Sequence, residues 1–286
     1  MPAGMIAVDL GGTRMRVAAF DASGKLVHKQ VTPTPRSEPA ALARAVRDVA
    51  EASGLAIAGA VVGVPGPVNY AAGTVVRLPN LPDWQEAISA QEPSQALNAP
   101  VQLANDADLA ALGEHRFGAG RGAADMLYVT SSTGVGAGVI LNHRLLRGRL
   151  SLAEAGHMII ERSTGGTVEG LGSGTALERI TGSKGSDVTE RAKAGDEAAL
   201  RAFRDVAGAF AVGVFNLVHC FMPERVVIGG GVSQAGDLLL DPIRERLRAC
   251  SGGCSASACD VVVAAGGDDV GLLGAFALWQ ESTGTQ

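Results

Sequence analysis

Short apolar runs that end in glycine recur along this chain and restrict its fold more than any other pattern. Residues 5–9 lead into Leu10-Gly11-Gly12-Thr13, and residues 126–130 lead toward Thr133-Gly134-Val135-Gly136-Ala137-Gly138. Residues 225–228 run into Gly229-Gly230-Gly231, and residues 261–264 approach Gly266-Gly267. An apolar run this short, closed by glycine, reads as a buried strand that must turn at once, because glycine enters tight-turn conformations at no steric cost. Glycine also lets backbone N–H groups come close to phosphate oxygens. The 39 glycines among 286 residues show no collagen-like period, so the excess marks turns and backbone that approaches a ligand.

The segments between these runs set the class. Residues 14–20 alternate in polarity as a strand does, Asp21-Ala22-Ser23-Gly24 is a turn, and residues 25–31 return. Ser37 is expected to cap a helix over 39–52, with Glu38 in its first turn. Residues 56–64 read as a buried parallel strand. Residues 65–82 hold four prolines and read as an irregular surface loop. A strand over 101–104 precedes a helix over 107–117. Residues 139–141 are a strand, and a two-residue turn at Asn142-His143 leads to 144–147. The longest helix spans 196–222, with Phe203, Ala207, Phe210, Val214 and Leu217 on one face and Pro223 ending it. Helices over 238–249 and 270–279 flank the last strand. Alternating strands and helices give an α/β protein. The strand–glycine turn–strand opening occurs twice, at Asp9 and at Thr133, without a residue-level repeat. Two halves of similar plan facing a cleft are therefore expected, with Asn105 as the boundary.

Composition excludes several classes. Hydrophobic residues make up 47% of the chain and the formal net charge is −5, which rules out a disordered chain and a nucleic-acid binder that works by bulk positive charge. The apolar stretch 206–215 falls far short of the ~20 residues of a membrane span, and the N-terminus lacks the cationic region of a signal peptide. Four cysteines do not make a disulfide framework, so a reducing, cytoplasmic setting is expected. Cys250, Cys254 and Cys259 match no standard zinc spacing and read as inert thiols.

Each motif has a plainer alternative. Asp9 at a strand end could hold magnesium through water, with Thr13 adding a donor, or the segment is an ordinary β-turn. Thr133–Gly138 is a second such loop. Gly229-Gly230-Gly231 offers flat backbone to an adenine or ribose, or merely joins strand to helix, and Gly266-Gly267-Asp268-Asp269 is similar. Asp106, after Asn105, could be a general base or a helix N-cap, and the cap is the stronger reading of the pair alone. Glu154-Ala155-Gly156-His157 and Glu169 could bind sugar hydroxyls or form a solvated loop; no cysteine lies near to complete a metal site. There is no Gly-x-x-x-x-Gly-Lys-Ser/Thr loop, and Gly231-Val232-Ser233-Gln234-Ala235 lacks the last glycine of a nucleophile elbow, leaving Ser233 as a helix cap.

Taken in order, these motifs resemble the ROK (repressor, open reading frame, kinase) family of sugar kinases, and within it the glucokinases. The likeness spans nearly the whole chain. Beyond the two phosphate loops it includes Val64-Pro65-Gly66-Pro67, the segment Leu78-Pro79-Asn80-Leu81-Pro82-Asp83-Trp84, Asn105-Asp106 with Ala110-Ala111-Leu112-Gly113-Glu114, and Glu154-Ala155-Gly156-His157. The resemblance implies an actin-like (ribonuclease H-like) duplicated two-domain fold with a central cleft. A small α/β domain over 1–104 would be joined by the C-terminal helix 270–286, and a large one would span 105–269. It implies an ATP-dependent hexose kinase that phosphorylates glucose at the 6-hydroxyl. The alternatives are the same chemistry on fructose, mannose, allose or an N-acetylhexosamine, or a sugar-binding regulator without turnover. Asp106 would be the general base. Gly66, Asn80, Asn105, Asp106, Glu154, His157 and Glu169 would bind the sugar. Asp9, Gly11, Gly12, Thr13, Arg14, Thr133, Gly134, Gly230 and Gly231 would bind ATP, with Asp9 on magnesium.

Many members carry a Cys-rich zinc motif before the position of Glu169. Here Arg162-Ser163-Thr164-Gly165-Gly166-Thr167-Val168 holds no cysteine, so structural zinc is not expected. Ser132 stands where the second phosphate loop usually has glycine. The first phosphate loop begins at Asp9, so no DNA-binding module is expected before it, and neither nucleic acid nor membrane is an expected partner. A homodimer is.

Overall fold

The computed structural model describes residues 3–78, 81–85, 88–89, 91–151, 154–249 and 259–284. The chain divides into two compact units. The first comprises Met1–Gly118, Arg147–Leu152 and Gly266–Gln286; the second comprises Ala119–Leu146 and Ala153–Ala265. The helix that follows Asn105 thus belongs to the first unit, with the C-terminal helix.

In the first unit, strands β1 (Ala3–Leu10), β2 (Arg14–Asp21), β3 (Leu26–Pro33), β4 (Ala56–Val64) and β7 (Val101–Asn105) form one sheet in the order β3-β2-β1-β4-β7. β1 pairs antiparallel with β2 and parallel with β4. β5 (Val68–Asn69) and β6 (Thr74–Val75) make a small hairpin. Helix α1 (Ala41–Ser53) buries Leu42, Ala45, Val46 and Val49, spaced as one helical stripe. A short α2 (Gln91–Leu97) follows. Helices α3 (Asp106–Phe117) and α9 (Val270–Thr283) bury nearly all their apolar residues. Glycines let α3 and α9 meet backbone to backbone. A Cβ on Gly274 would overlap the Leu109 carbonyl, and one on Gly113 would overlap that of Val270.

In the second unit, β8 (Met126–Ser131), β9 (Val135–Leu141), β10 (Arg144–Leu145), β13 (Arg225–Gly229) and β14 (Asp260–Val263) run in the order β10-β9-β8-β13-β14. The plan of the first sheet recurs: an antiparallel meander continued by strands that pair in parallel. β11 (Ile159–Glu161) and β12 (Gly166–Thr167) form a hairpin, and α4 (Val168–Gly172), α5 (Gly174–Thr181) and α6 (Gly185–Lys193) follow. The long α7 (Glu197–Phe221) is capped by Asp196, whose carboxylate accepts the Ala199 N–H. It ends at Met222 in the left-handed region, just before Pro223. Its apolar face and that of α8 (Asp237–Arg248) complete a core with β8, β9 and β13. Among the described residues no helix is long and apolar enough to cross a membrane.

Several local expectations are corrected. Ser37 does not cap α1; its hydroxyl donates to Asp83, and α1 starts at Ala41. The proline-rich stretch is not a surface loop throughout, since Val68, Leu78 and Leu81, with Trp84 beyond, are buried in the core. Prolines stop regular pairing there, but the intervening side chains still cover the sheet. Gly136 and Gly138 lie inside β9, opposite Thr130 and Tyr128, rather than in the turn. Ser233 does not cap α8 either; its hydroxyl donates to the Gly230 carbonyl within a short 3-10 turn, Gly231–Ala235. Cys259 is half-buried, and burial pushes its thiol up to about 11; Cys250 and Cys254 lie outside the described residues.

Candidate functional site

The junction of β7 and α3 carries the first group of expected site residues. Asn105 ends β7 in extended geometry and is the N-cap of α3: its Oδ1 accepts the N–H groups of Ala107 (3.0 Å) and Asp108 (3.1 Å). The cap expected of Asp106 therefore falls to its neighbour, because the cap residue must be extended while Asp106 already has helical geometry. Asp106 Oδ1 accepts from the Ala107 N–H (2.8 Å) and from Asn105 Nδ2 (3.2 Å). Asn105 Nδ2 also donates to the Gly66 carbonyl at 3.1 Å, which ties the loop around Gly66 to the junction. Gly66 has φ +155°, and a Cβ there would overlap the Arg77 carbonyl. Burial, then the negative charges of Asp9 and Asp108, push the Asp106 carboxyl up to about 7. A carboxylate tuned to that range is suited to take a proton near neutral pH.

Asp9 and its loop form the second group. The β1–β2 register sets Asp9 opposite Arg16, and Arg16 Nη1 donates to Asp9 Oδ2 at 3.0 Å. Burial raises the Asp9 pKa, Arg16 opposes this, and Asp269 and Asp268 add to it. The turn over Gly11, Gly12 and Thr13 is held by the Gly11 N–H to the Arg14 carbonyl (2.9 Å), while Thr34 donates its hydroxyl to the Gly11 carbonyl (2.7 Å). Arg14 and Thr13 are exposed at this turn. One carboxylate with one oxygen already engaged fits magnesium that keeps most of its water and its phosphate ligands. Among the described residues no three of His, Cys, Asp and Glu converge as an all-protein metal cage would require.

The third group lies in the second unit. Ser132-Thr133-Gly134 turns between β8 and β9, and the Val135 N–H beyond it donates to Glu169 Oε2 at 3.0 Å. A Cβ on Gly134 would overlap that carboxylate. A Cβ on Gly156 would overlap the Val135 carbonyl and press on Glu169, so the 154–157 turn lies against the same spot. His157 Nε2 lies 3.7 Å from Glu154 Oε2. Burial raises the Glu154 pKa, with His157 opposing and Glu169 adding. Glu154, His157, Glu169 and Gly134 are thus one cluster, with Thr133 next to it in the chain. Asn80 lies outside the described residues.

The Thr133 turn also borders a cavity of about 480 Å³, lined by Ser132, Thr133, Gly174, Thr175, Glu178, Gly185, Ser186, Gly231 and Gln234, among others. The Ser132 carbonyl accepts the Gly174 N–H (2.7 Å), and the Thr133 carbonyl accepts the Thr175 hydroxyl (2.7 Å). Gly230 has φ +84°, and a Cβ there would overlap the Ser131 carbonyl. The cavity is large enough for a small-molecule ligand. Its α5–α6 wall is absent from the sequence reading. The run Gly172-Ser173-Gly174-Thr175, small hydroxyl residues opening a helix, was the available signal. A second cavity of about 490 Å³, between α7 and α8, is lined by none of the expected residues. Two further glycines have a packing reason. Gly229 abuts the Tyr128 ring, and the Gly266 N–H donates to buried Glu114 at 2.6 Å.

A family model described as "ROK family" matches residues 5–282. The chain belongs to the ROK family. This ROK chain is 31% identical to the glucokinase of Streptomyces coelicolor over 310 aligned residues, covering 96% of this chain and 97% of that one. It matches the crystal structure of a ROK hexokinase from Thermus thermophilus with a TM-score of 0.83 at 32% identity, covering 98% and 99% of the two chains. The ROK family glucokinase of Streptomyces griseus, crystallised with glucose and AMPPNP, gives a TM-score of 0.81 at 31% identity, covering 96% and 98%. The actin-like α/β fold of the ROK kinases is the fold of this chain.

Proposed function

We propose that this ROK protein is an ATP-dependent hexose kinase that transfers the γ-phosphoryl group to the 6-hydroxyl of glucose. The observation that carries the reading is Asp106: its neighbour Asn105 does the capping, which leaves Asp106 as a carboxylate raised to about 7 at the end of a sheet strand. In the reaction Asp106 accepts the 6-hydroxyl proton as that oxygen bonds to the γ-phosphorus. The bond from phosphorus to the β–γ bridging oxygen breaks, and ADP leaves. Such transfers depend chiefly on positioning and charge stabilisation, with a placed base adding ~10²–10⁴-fold. Asn105, the Gly66 loop, Asn80, Glu154, His157 and Glu169 orient the sugar hydroxyls. The turns at Gly11–Arg14 and Thr133–Gly134, with Gly230–Gly231, receive ATP. Magnesium, when bound through Asp9, neutralises phosphate charge. The family kinship to glucokinases supports glucose as the acceptor. In the same reading the enzyme works in the cytoplasm as a homodimer, on sugar and ATP alone.

ADP release measured over a panel of hexoses tests this. Glucose is expected to give the highest kcat/KM. Release with a different hexose alone would reassign the acceptor, and no release with any hexose would leave a sugar-binding regulator. Chelating magnesium is expected to abolish turnover while leaving sugar binding in place.

A further inference from the structure

We propose that Tyr70 is a positioning residue for the β7–α3 junction, holding in register the two chain segments between which Asp106 sits. The inference rests on the general-base reading of Asp106. Tyr70 stands at the tip of the β5–β6 hairpin, and its hydroxyl bridges both sides of the junction. It donates to Asp108 Oδ2 at 2.5 Å and accepts the Asn105 N–H at 3.3 Å. One partner is the last residue of β7; the other lies in the first turn of α3 and is fully buried. A single oxygen therefore ties strand end to helix start across Asp106. Burial and the Asp108 charge push the phenol pKa up, so the hydroxyl keeps its proton and remains a donor.

The hairpin that presents Tyr70 is too short to hold itself, and a strap does it instead. The segment Arg147–Leu152 packs with the first unit although the chain on either side belongs to the second. Ser151 pairs with Val68 in both directions, its N–H to the Val68 carbonyl (3.0 Å) and its Oγ from the Val68 N–H (3.2 Å). The Arg147 guanidinium lies 4.4 Å from the Tyr70 ring centroid, a cation–π contact that fixes the ring. The tyrosine is thus clamped on its face by Arg147 and at its tip by Asp108 and Asn105.

The test separates positioning from general bracing. Tyr70→Phe removes only the bridging oxygen. Its kcat is expected to fall ~10–100-fold, the scale of a small misplacement at a reacting group, with KM for glucose and ATP within about twofold of wild type. In an Asp106→Asn background, the same Tyr70→Phe change is expected to leave the residual turnover unaltered. Wild-type kcat in Tyr70→Phe would overturn the proposal. So would an equal loss in both backgrounds, which marks a brace of the whole fold. Should Tyr70→Phe fail to fold, Arg147→Met decides: a kcat lowered ~3-fold supports the proposal and an unchanged kcat overturns it. Near-normal turnover in Asp106→Asn alone would instead sink the general-base reading, independently of Tyr70.

Discussion

Asn105 and Asp106 are adjacent, chemically alike and put to different uses. The sequence places a capping residue at this point, but which of the two caps depends on where the chain turns from extended to helical. That turn falls between them: Asn105 accepts the Ala107 and Asp108 N–H groups, and Asp106, which of these accepts only that of Ala107, is the residue proposed as the base. The sign of the pH dependence follows from the raised pKa. The folded value of about 7 exceeds the ordinary 3.8, so the folded protein binds the extra proton between those values. Stability is then lost as pH rises from about 4 through 7. Asp106→Asn should therefore be more stable than wild type at pH 8, by up to ~4 kcal/mol, with no gain at pH 3. Thermal unfolding at the two pH values checks this, and an equal gain at both would contradict a raised carboxyl. In the wild type, kcat should fall below about pH 7 as the base protonates. In Asp106→Asn the residual rate should be ~10²–10⁴ lower and lack that limb.

Among the elements, the α3–α9 crossing places the junction. Both helices read plainly in the sequence, as does the glycine content of each, but glycine in a helix ordinarily weakens it. The structure gives the reason for tolerating it: at Gly113 and Gly274 the partner helix's carbonyl occupies the space of a side chain. Gly274→Ala should cost ~3 kcal/mol through overpacking and push α3 outward, lowering kcat along with the melting temperature. Gly208→Ala in α7, where a Cβ meets nothing within 4 Å, is the control: kcat should be unchanged and the melting temperature should not fall. The hairpin β5–β6 shows the opposite case. The prolines on either side of it, Pro65, Pro67, Pro79 and Pro82, made the stretch read as loose surface, because periodicity cannot register a segment pinned by a distant strap, Ser151 on Val68.

At the scale of the whole chain, two units carry separate cores and the same strand plan. The duplication was legible from two glycine turns alone, since each must follow a buried strand and start an antiparallel return. The α5–α6 wall of the second unit's cavity was not, because its residues carry no phosphate-loop pattern. A non-hydrolysable ATP analogue should slow amide exchange over 174–190 and 231–235, and at 100 times its Kd should add ~2.7 kcal/mol to stability. Protection confined to the groove between α7 and α8 would move the nucleotide to the other cavity.

Sequence was enough for the α/β class, the strands of the two sheets, the helices α1, α3, α7, α8 and α9, and the family kinship. These follow from local periodicity, turn chemistry and short motifs, each contained within a few neighbouring residues. The tertiary structure assigned the cap to Asn105, raised Asp106 through burial and the charges of Asp9 and Asp108, and gathered Gly134, Gly156 and Glu169 around Val135. It also set Tyr70 between Asn105 and Asp108. Each of these depends on groups far apart in the chain. Burial and electrostatics act through space, and no local pattern records which distant residue will supply the neighbour.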